Sequence, residues 1–147
     1  MNYAVLEEYR EFNAERFIKS LKGLEKKRAK LQAKLDALSE LPSIDGGAGV
    51  RSSNISDPTA TLAERRLRIK EEIEKIDYYH EIYRQVKGAL SEEDQELLQG
   101  FFENKEPKWK FVQDYCKKKY MGEALVYRKR KTALKHFTQV MEKNYLV

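Results

Sequence analysis

Residues 17–38, FIKSLKGLEKKRAKLQAKLDAL, place side chains on one helical stripe at alternating steps of four and three positions. The members of this stripe are Phe17, Leu21, Leu24, Arg28, Leu31, Leu35 and Leu38. All but Arg28 are apolar, and a heptad stripe of this kind needs a partner helix to cover it. The stretch therefore predicts one long helix, from Tyr3 to about Leu41, with a single face in an interface.

A second stripe with the same spacing and a similar length follows in the chain. Its members are Leu62, Arg66, Ile69, Ile73, Ile76, His80 and Tyr83. Antiparallel pairing of the two stripes would bury both, and pairing between two chains would do so equally well. The sequence therefore predicts either a helical hairpin or a homodimeric coiled coil. We interpret His80, which lies on the stripe, as a core or interface histidine rather than a metal ligand or a base.

The segment between the stripes, PSIDGGAGVRSSNISDP at residues 42–58, is rich in Pro, Gly, Ser, Asn and Asp and has no period. Such a composition predicts a flexible loop. Its glycines do not form a phosphate-binding loop, because the Lys-Ser/Thr pair and the preceding strand that such a loop needs are missing. Asp57 followed by Pro58 suits a helix start, so we expect the second long helix to begin near residue 58.

Beyond Leu90 the pattern changes from long helices to short ones. A short helix opened by a Ser91 cap is followed by a second short helix at residues 107–119, a glycine-containing turn at 120–122 and a basic helix from about Glu123. Serine is a favoured N-cap residue, and a proline shortly after a helical pattern ends it. This order of elements is the layout of a helix-turn-helix.

The composition favours helices over a sheet. Of the 147 residues, 36% are charged and three are proline, as expected for long solvated helices. We predict an all-α chain in which residues 1–90 form the long-helix hairpin or coiled coil, with a flexible loop at 42–58. Residues 91–147 then form a C-terminal three-helix helix-turn-helix.

The residue content also argues against several classes of protein. With one cysteine, Cys116, and only His80 and His136 beside it, the sequence predicts no disulfide, no metal centre, no cofactor and no catalytic triad. The longest apolar stretches are too short to cross a bilayer, and the N-terminus MNYAVLEEYREF lacks the parts of a secretory signal. We therefore expect a cytoplasmic protein that is not an enzyme and has no membrane partner.

The positive charge of the chain is concentrated at its C-terminal end. Residues 105–147 hold twelve Lys or Arg against four Asp or Glu, a net charge of +8, whereas residues 1–104 carry a net charge of −3. This asymmetry predicts a polyanion-binding C-terminal part on a near-neutral scaffold, and a basic end without a specific partner would have the same composition.

The basic helix separates its charge from its apolar side chains. At about 100° per residue, the apolar stripe around Val126 lies opposite Arg128, Lys131 and Lys135. Arg130 lies within the apolar stripe, and we interpret it as an internal salt-bridge or snorkelling side chain.

We expect the helix at residues 123–138 to enter the major groove of double-stranded DNA. The candidates for reading bases are Glu123, Tyr127, Arg128, Lys131 and Thr132. The candidates for contacting phosphates are Lys110, Lys117, Lys118, Lys119, Lys129 and Lys135.

Three stretches that follow the leucine-rich helix resemble the small phage and prophage regulators of the ArpU and RinA type. They are SDPTATLAERR at 56–66, EEIEKIDYYHEIYRQVKGALSEEDQELL at 71–98 and VYRKRKTALKHF at 126–137. The resemblance runs from about Leu38 to Met141. It implies a sigma-factor-like helix-turn-helix in the C-terminal part and activation of phage late genes in a bacterial host cell. In such a regulator the long-helix region would dimerise the chain or contact RNA polymerase.

Two details support this resemblance and one departs from it. The pair Ala133-Leu134 matches the Ala-Leu usual near the end of the recognition helix, and Trp109 matches the aromatic residue that commonly starts the preceding helix. Residues 111–127, FVQDYCKKKYMGEALVY, make a longer and more basic second helix and turn than the sigma-like pattern has.

Two other functions fit the same features. A DNA-binding packaging accessory of the small-terminase type has similar parts, but it would form a ring and bind DNA with little sequence preference. A coiled-coil scaffold or adaptor would account for the two stripes alone, and it predicts DNA binding that disappears at physiological salt.

Overall fold

The computed structural model describes residues 13–39 and 58–146, with side chains from residue 61 onward in the second range. The helices in these ranges are α1 (Ala14–Ser39), α2 (Pro58–Gly88), α3 (Glu92–Leu98), α4 (Lys108–Lys119) and α5 (Glu123–Asn144). No strand occurs in these ranges, and the all-α prediction is confirmed. The expected helix start at Tyr3 and the loop at 42–57 lie outside the described residues.

The chain divides into two compact units. We name residues 21–39 and 58–80 the two-helix unit, and residues 13–20 and 81–146 the C-terminal unit. This division differs from the boundary predicted at residue 90. The last turns of α2 and the first turns of α1 supply buried side chains to the C-terminal unit, which heptad spacing alone does not reveal.

In the two-helix unit, α1 and α2 cover each other's apolar stripes. Leu31 packs with Ile73 and Ile76, and further apolar side chains of both helices border this core. Arg28, the charged member of the first stripe, donates from Nε to Asp77 Oδ1 at 2.6 Å. Arg66, the charged member of the second, donates from Nη2 to the carbonyl of Leu38 at 2.8 Å.

The order of these contacts shows how the two helices run. The partner of Arg28 is Asp77, and the partner of Leu38, ten positions further along α1, is Arg66 on α2. Contact positions therefore fall along α2 as they rise along α1, so the two helices pair antiparallel within one chain. His80 is half-buried, with its Nδ1 3.0 Å from the carbonyl of Ile76.

The C-terminal unit holds the dense core of the described residues. Its fully buried large side chains are Phe17, Ile82, Val86, Leu97, Leu98, Val112, Val126, Phe137 and Met141. The ring of Phe137 lies 6.2 Å from Phe17 and 5.8 Å from Tyr83, measured between centroids. Phe17, which the sequence assigned to the first stripe, is therefore a core residue of this unit, and Tyr83, assigned to the second stripe, is half-buried beside it.

A wider turn connects α3 to the rest of the unit. The π-helical turn Gln99–Glu103 ends where the N–H of Asn104 donates to the carbonyl of Gln99 at 2.9 Å. A Cβ placed on Gly100 would lie 1.9 Å from the ring of Phe111. Gly100 is therefore needed for packing, because only a hydrogen at this position lets the aromatic ring reach the backbone.

The predicted starts of the C-terminal helices agree with the structure, whereas α5 continues to Asn144, beyond the end predicted at residue 138. The hydroxyl of Ser91 accepts from the backbone N–H of Asp94 at 3.2 Å, which confirms the cap of α3. Tyr120 ends α4 in the left-handed conformation at φ 52°, and its N–H and that of Met121 both donate to the carbonyl of Cys116. This two-bond closure stops α4 and leads the chain into α5.

Candidate nucleic-acid interface

Helix α5 has one buried face and one exposed face, as the spacing of about 100° per residue predicts. Val126, Ala133, Phe137 and Met141 are buried along the inner face. Arg128, Lys131 and Lys135 are exposed on the opposite face. The inner face fixes the rotation of α5 about its axis, so the three cations are held on one side of a packed helix.

All five candidates for reading bases are exposed. At about 100° per residue, Arg128, Lys131 and Thr132 fall within one arc of about 100°, with Tyr127 on its flank and Glu123 in the first turn on the same side as Tyr127. Arg128 and Lys131 form no ion pair with any side chain that the structure describes. Their donors are therefore available to an external acceptor.

Two members of this group are held by neighbours. The hydroxyl of Thr132 donates to the carbonyl of Arg128 at 3.1 Å, which leaves its oxygen free to accept. The ring of Tyr127 lies 5.7 Å from the ring of Phe101, so one side of the tyrosine is packed and the rest is exposed. The contact with Phe101 therefore restrains the Tyr127 side chain at the edge of the arc.

Three of the six phosphate candidates already have acidic partners. The Nζ–Oε distances are 3.4 Å for Lys110–Glu106 and 3.6 Å for Lys119–Glu96. Lys129 lies closer to its partner, with Nζ 2.5 Å from Glu93 Oε1. Exposed pairs of this kind contribute little and exchange readily, so the two long pairs do not prevent phosphate contact, whereas Lys129 is the least available.

The other three phosphate candidates form no ion pair within the described part of the chain. Lys117 and Lys118 lie in the last turn of α4, and Lys135 lies on the outer face of α5. All three side chains are exposed. The structure therefore leaves unpaired cations on both of the helices that flank the turn at Tyr120.

Arg130 has the internal role that its position predicts. Its Nη2 lies 2.5 Å from Glu15 Oε1, and its guanidinium stacks over the rings of Phe101 and Phe102 at 5.2 and 5.1 Å. Only 19% of its side chain is exposed. Hydrogen bonds from Lys19 and from Arg130 lower the pKa of the Glu15 carboxyl below its ordinary value. This cation is used inside the unit and is removed from the set that a ligand can reach.

A buried carboxylate fixes α5 against α3, and its partner was not evident from the sequence. Asp94 is 7% exposed, and its Oδ2 lies 2.7 Å from Nδ1 of His136. The Ser91 cap places Asp94 in the first turn of α3. Cap spacing made Asp94 visible in the sequence, but no local pattern links it to a histidine 42 positions away.

Two exposed aromatic residues lie on or beside α4. Trp109 in its first turn is 62% exposed, and Tyr120 at its end is 94% exposed. Tyr120 is the one non-glycine residue with positive φ in the described ranges, a conformation that costs a side chain about 1–2 kcal/mol. The sequence predicted a turn here from Gly122, but not that the tyrosine would take the strained position.

The described residues hold no group of three His, Cys, Asp or Glu that could bind a metal ion. None of the helices described is long and apolar enough to cross a membrane. The exposed face of α5 offers positive charge and hydrogen-bond donors, together with acceptor oxygens on Thr132 and Glu123.

Comparisons with protein-family models, with curated proteins and with solved structures find no match to this chain. The resemblance to phage regulators of the ArpU and RinA type thus stays a prediction from the sequence. The geometry and charge of the C-terminal unit remain as the guide to its function.

Proposed function

We propose that the protein is a sequence-specific, double-stranded DNA-binding transcriptional regulator. The observation that carries the proposal is the division of α5 into a buried stripe and an opposite face whose cations Arg128, Lys131 and Lys135 have no acidic partner in the described residues. In a helix-turn-helix, the last helix presents such a face to the major groove.

The exposed side chains of α5 would make different contacts with the base edges. Arg128 suits a bidentate contact with guanine, and Glu123 at the start of the helix can accept from the amino group of cytosine. Thr132 offers an acceptor oxygen beside Arg128, because its proton is used within the helix. Lys131 completes the arc, and Tyr127 on its flank reaches the edge of the groove. These five residues form the proposed base-reading set.

Cations on both helices supply the phosphate contacts. Lys117 and Lys118 on α4 and Lys135 on α5 are the main proposed contacts, because they are unpaired in the described structure. Lys110 and Lys119 join them by exchanging weak acidic partners for phosphate. These contacts position the protein but do not distinguish sequences.

The same proposal includes activation of phage late genes, contact with RNA polymerase and pairing of two copies. Because α1 and α2 cover each other's stripes within one chain, a second copy would use another face of the two-helix unit. Leu67 of α2 is 57% exposed on such a face. Sedimentation equilibrium of the wild type and of Leu67→Glu tests this, since a dimer held by that face becomes a monomer in the variant.

The DNA-binding proposal is tested with a site selected in vitro from a random duplex pool. Arg128→Ala should weaken binding to the selected site by about 1–3 kcal/mol and relax its specificity. Lys118→Ala should weaken selected and random duplexes alike, because it removes a phosphate contact. Lys143→Ala, in the last turn of α5, is a matched control that removes one cation of the same unit and should change little.

The variants also separate the proposal from its closest alternative. Equal losses on selected and random duplexes for Arg128→Ala would remove this residue from the base-reading set. If no site emerges from the selection and a ring of subunits forms, a packaging accessory of the small-terminase type accounts for the protein instead.

A further inference from the structure

The outer face of α1 in the two-helix unit carries a line of lysines. The net negative charge of residues 1–104 does not reveal it, because acidic residues elsewhere in that range outnumber these lysines. Residues 21–39 hold six Lys or Arg against two Asp or Glu, whereas residues 61–80 of α2 hold five of each. The five exposed lysines are Lys22, Lys26, Lys27, Lys30 and Lys34. None of them forms an ion pair with a residue that the structure describes.

These lysines share one arc of the helix. At about 100° per residue, they fall within about 140°, opposite the stripe that α2 covers, and Glu25 and Asp36 fall outside this arc. The positions between them are small residues: Gly23, Ala33 and Ala37. The face is therefore cationic, and no bulky side chain lies between its lysines, so a large polyanion can approach it closely.

The spacing of four of them is regular. Lys22, Lys26, Lys30 and Lys34, which we name the lysine line, follow one another every four residues. Like charges at this spacing oppose helix formation, so the line is costly unless an external anion compensates it. Four residues advance about 6 Å along a helix. The whole line therefore spans about 18 Å, or about five base pairs of a duplex at 3.4 Å each.

We propose that the lysine line contacts the phosphate backbone of duplex DNA without reading bases. The choice of DNA as the ligand rests on the proposed function. A protein partner fits less well, because the arc has no aromatic or large apolar side chain to anchor a protein interface. A membrane fits less well too, because the apolar stripe that would enter the lipid is covered by α2.

The test is a salt series of equilibrium binding to a random duplex, with the full chain. Removing one lysine–phosphate interaction should reduce the slope of log K against log salt by about 0.9. Lys26→Gln/Lys30→Gln should therefore reduce the slope by about 2. The matched control is Lys70→Gln/Lys75→Gln, which removes two exposed lysines from α2 of the same unit, where they are interspersed with acids. Circular dichroism verifies that the helices persist, and glutamine is a good helix former.

A third variant, Lys117→Gln/Lys118→Gln, separates this inference from the proposed function. A slope reduced by the α1 variant but not by the α4 variant supports the lysine line and contradicts the proposed interface. A slope reduced by the α4 variant alone overturns the lysine line and leaves the proposed function intact. Equal reductions in the α1 variant and the α2 control reflect net charge only and overturn the inference.

Poly-glutamate serves as the probe for an acidic protein partner. The α1 variant should lose affinity for the duplex without a larger loss for poly-glutamate. If the larger loss is for poly-glutamate, the lysine line binds acidic polypeptides and the inference is overturned.

Discussion

The two-helix unit and the C-terminal unit draw on the same two long helices but bury their side chains in different ways. In the first, two stripes cover each other and the outer faces remain in water. In the second, short helices surround the ends of the long ones, and all nine fully buried large side chains of the described residues lie there. A pair of helices can bury one face of each, whereas several helices can enclose a side chain on all sides.

The more densely packed unit is the one that contains the proposed base-reading helix. Base recognition requires that side chains on α5 keep a fixed position, and the buried anchors Val126, Phe137 and Met141 provide it. Contact with phosphates needs less precision, because flexible lysines can adjust to a uniform backbone. The dense unit is therefore suited to specificity and the two-helix unit to sequence-independent affinity.

The largest expected difference between the two units is the stability lost when a core side chain is truncated. Phe137→Ala removes a fully buried ring that contacts Phe17 and Tyr83, and should cost about 3–5 kcal/mol of unfolding free energy. Ile73→Ala in the two-helix unit should cost about 2 kcal/mol, at the low end for such a change, because its surroundings can close over the gap. Urea denaturation measures both, and a larger loss for Ile73→Ala would contradict this account of the two cores.

Gly100 and Gly23, one in each unit, should respond to alanine substitution in opposite ways. Gly100→Ala places a methyl group 1.9 Å from the ring of Phe111 and should cost about 1–3 kcal/mol through overpacking. Gly23→Ala in the two-helix unit meets nothing within 4 Å and should gain about 0.5–1 kcal/mol as a better helix former. Thermal melts of the two variants should shift in opposite directions. A stabilised Gly100→Ala would show that the close contact is absent.

The strained turn between α4 and α5 makes a smaller contribution. Tyr120→Gly relieves the left-handed conformation at φ 52° and should gain about 0.5–1 kcal/mol after the entropy cost of glycine is subtracted. Tyr120→Ala keeps a Cβ and should show no such gain. Denaturant midpoints distinguish the two, and equal stability of both variants would mean that the tyrosine is unstrained.

The smallest expected effect is a loss of stability at high pH, where the buried hydroxyl of Tyr115 ionises. Burial, with the charges of Glu93, Glu96 and Asp94, raises the pKa of Tyr115 from 10.0 to about 12. The folded state therefore holds this proton more tightly than the unfolded state, so stability is complete below pH 10 and falls as the pH rises towards about 12.

Tyr115→Phe tests that assignment. The hydroxyl of Tyr115 is buried without a hydrogen-bond partner in the described residues, so its removal should slightly raise the unfolding free energy at pH 7. Above pH 10 the variant should lose stability less steeply than the wild type. Identical curves over that range would show that Tyr115 does not titrate differently in the two states.

The sequence predicted those parts of the fold that depend on local patterns. Heptad spacing identified the stripes of α1 and α2, the Asp57-Pro58 pair indicated the start of α2, and the Ser91 cap indicated the start of α3. Each of these signals works within a few residues of the chain, because helix starts and apolar faces follow from local geometry.

What the sequence did not reveal depends on contacts between distant positions. Heptad spacing shows which side chains share a face but not what covers them, so Phe17 and Tyr83 were assigned to stripes although they pack against Phe137. The Asp94–His136 contact was missed for the same reason. Among the candidate phosphate contacts, the acidic partner of Lys129 also comes from another helix.

Whether the exposed face of α5 reads DNA sequence can be measured by an equilibrium titration at physiological salt. Fluorescence anisotropy of the full chain would compare the selected duplex with a scrambled duplex of the same composition. If α5 reads bases, we expect the protein to prefer the selected duplex by about a thousandfold or more. Steeply salt-dependent binding with equal affinity for both duplexes would contradict it, because only the phosphate contacts would then remain.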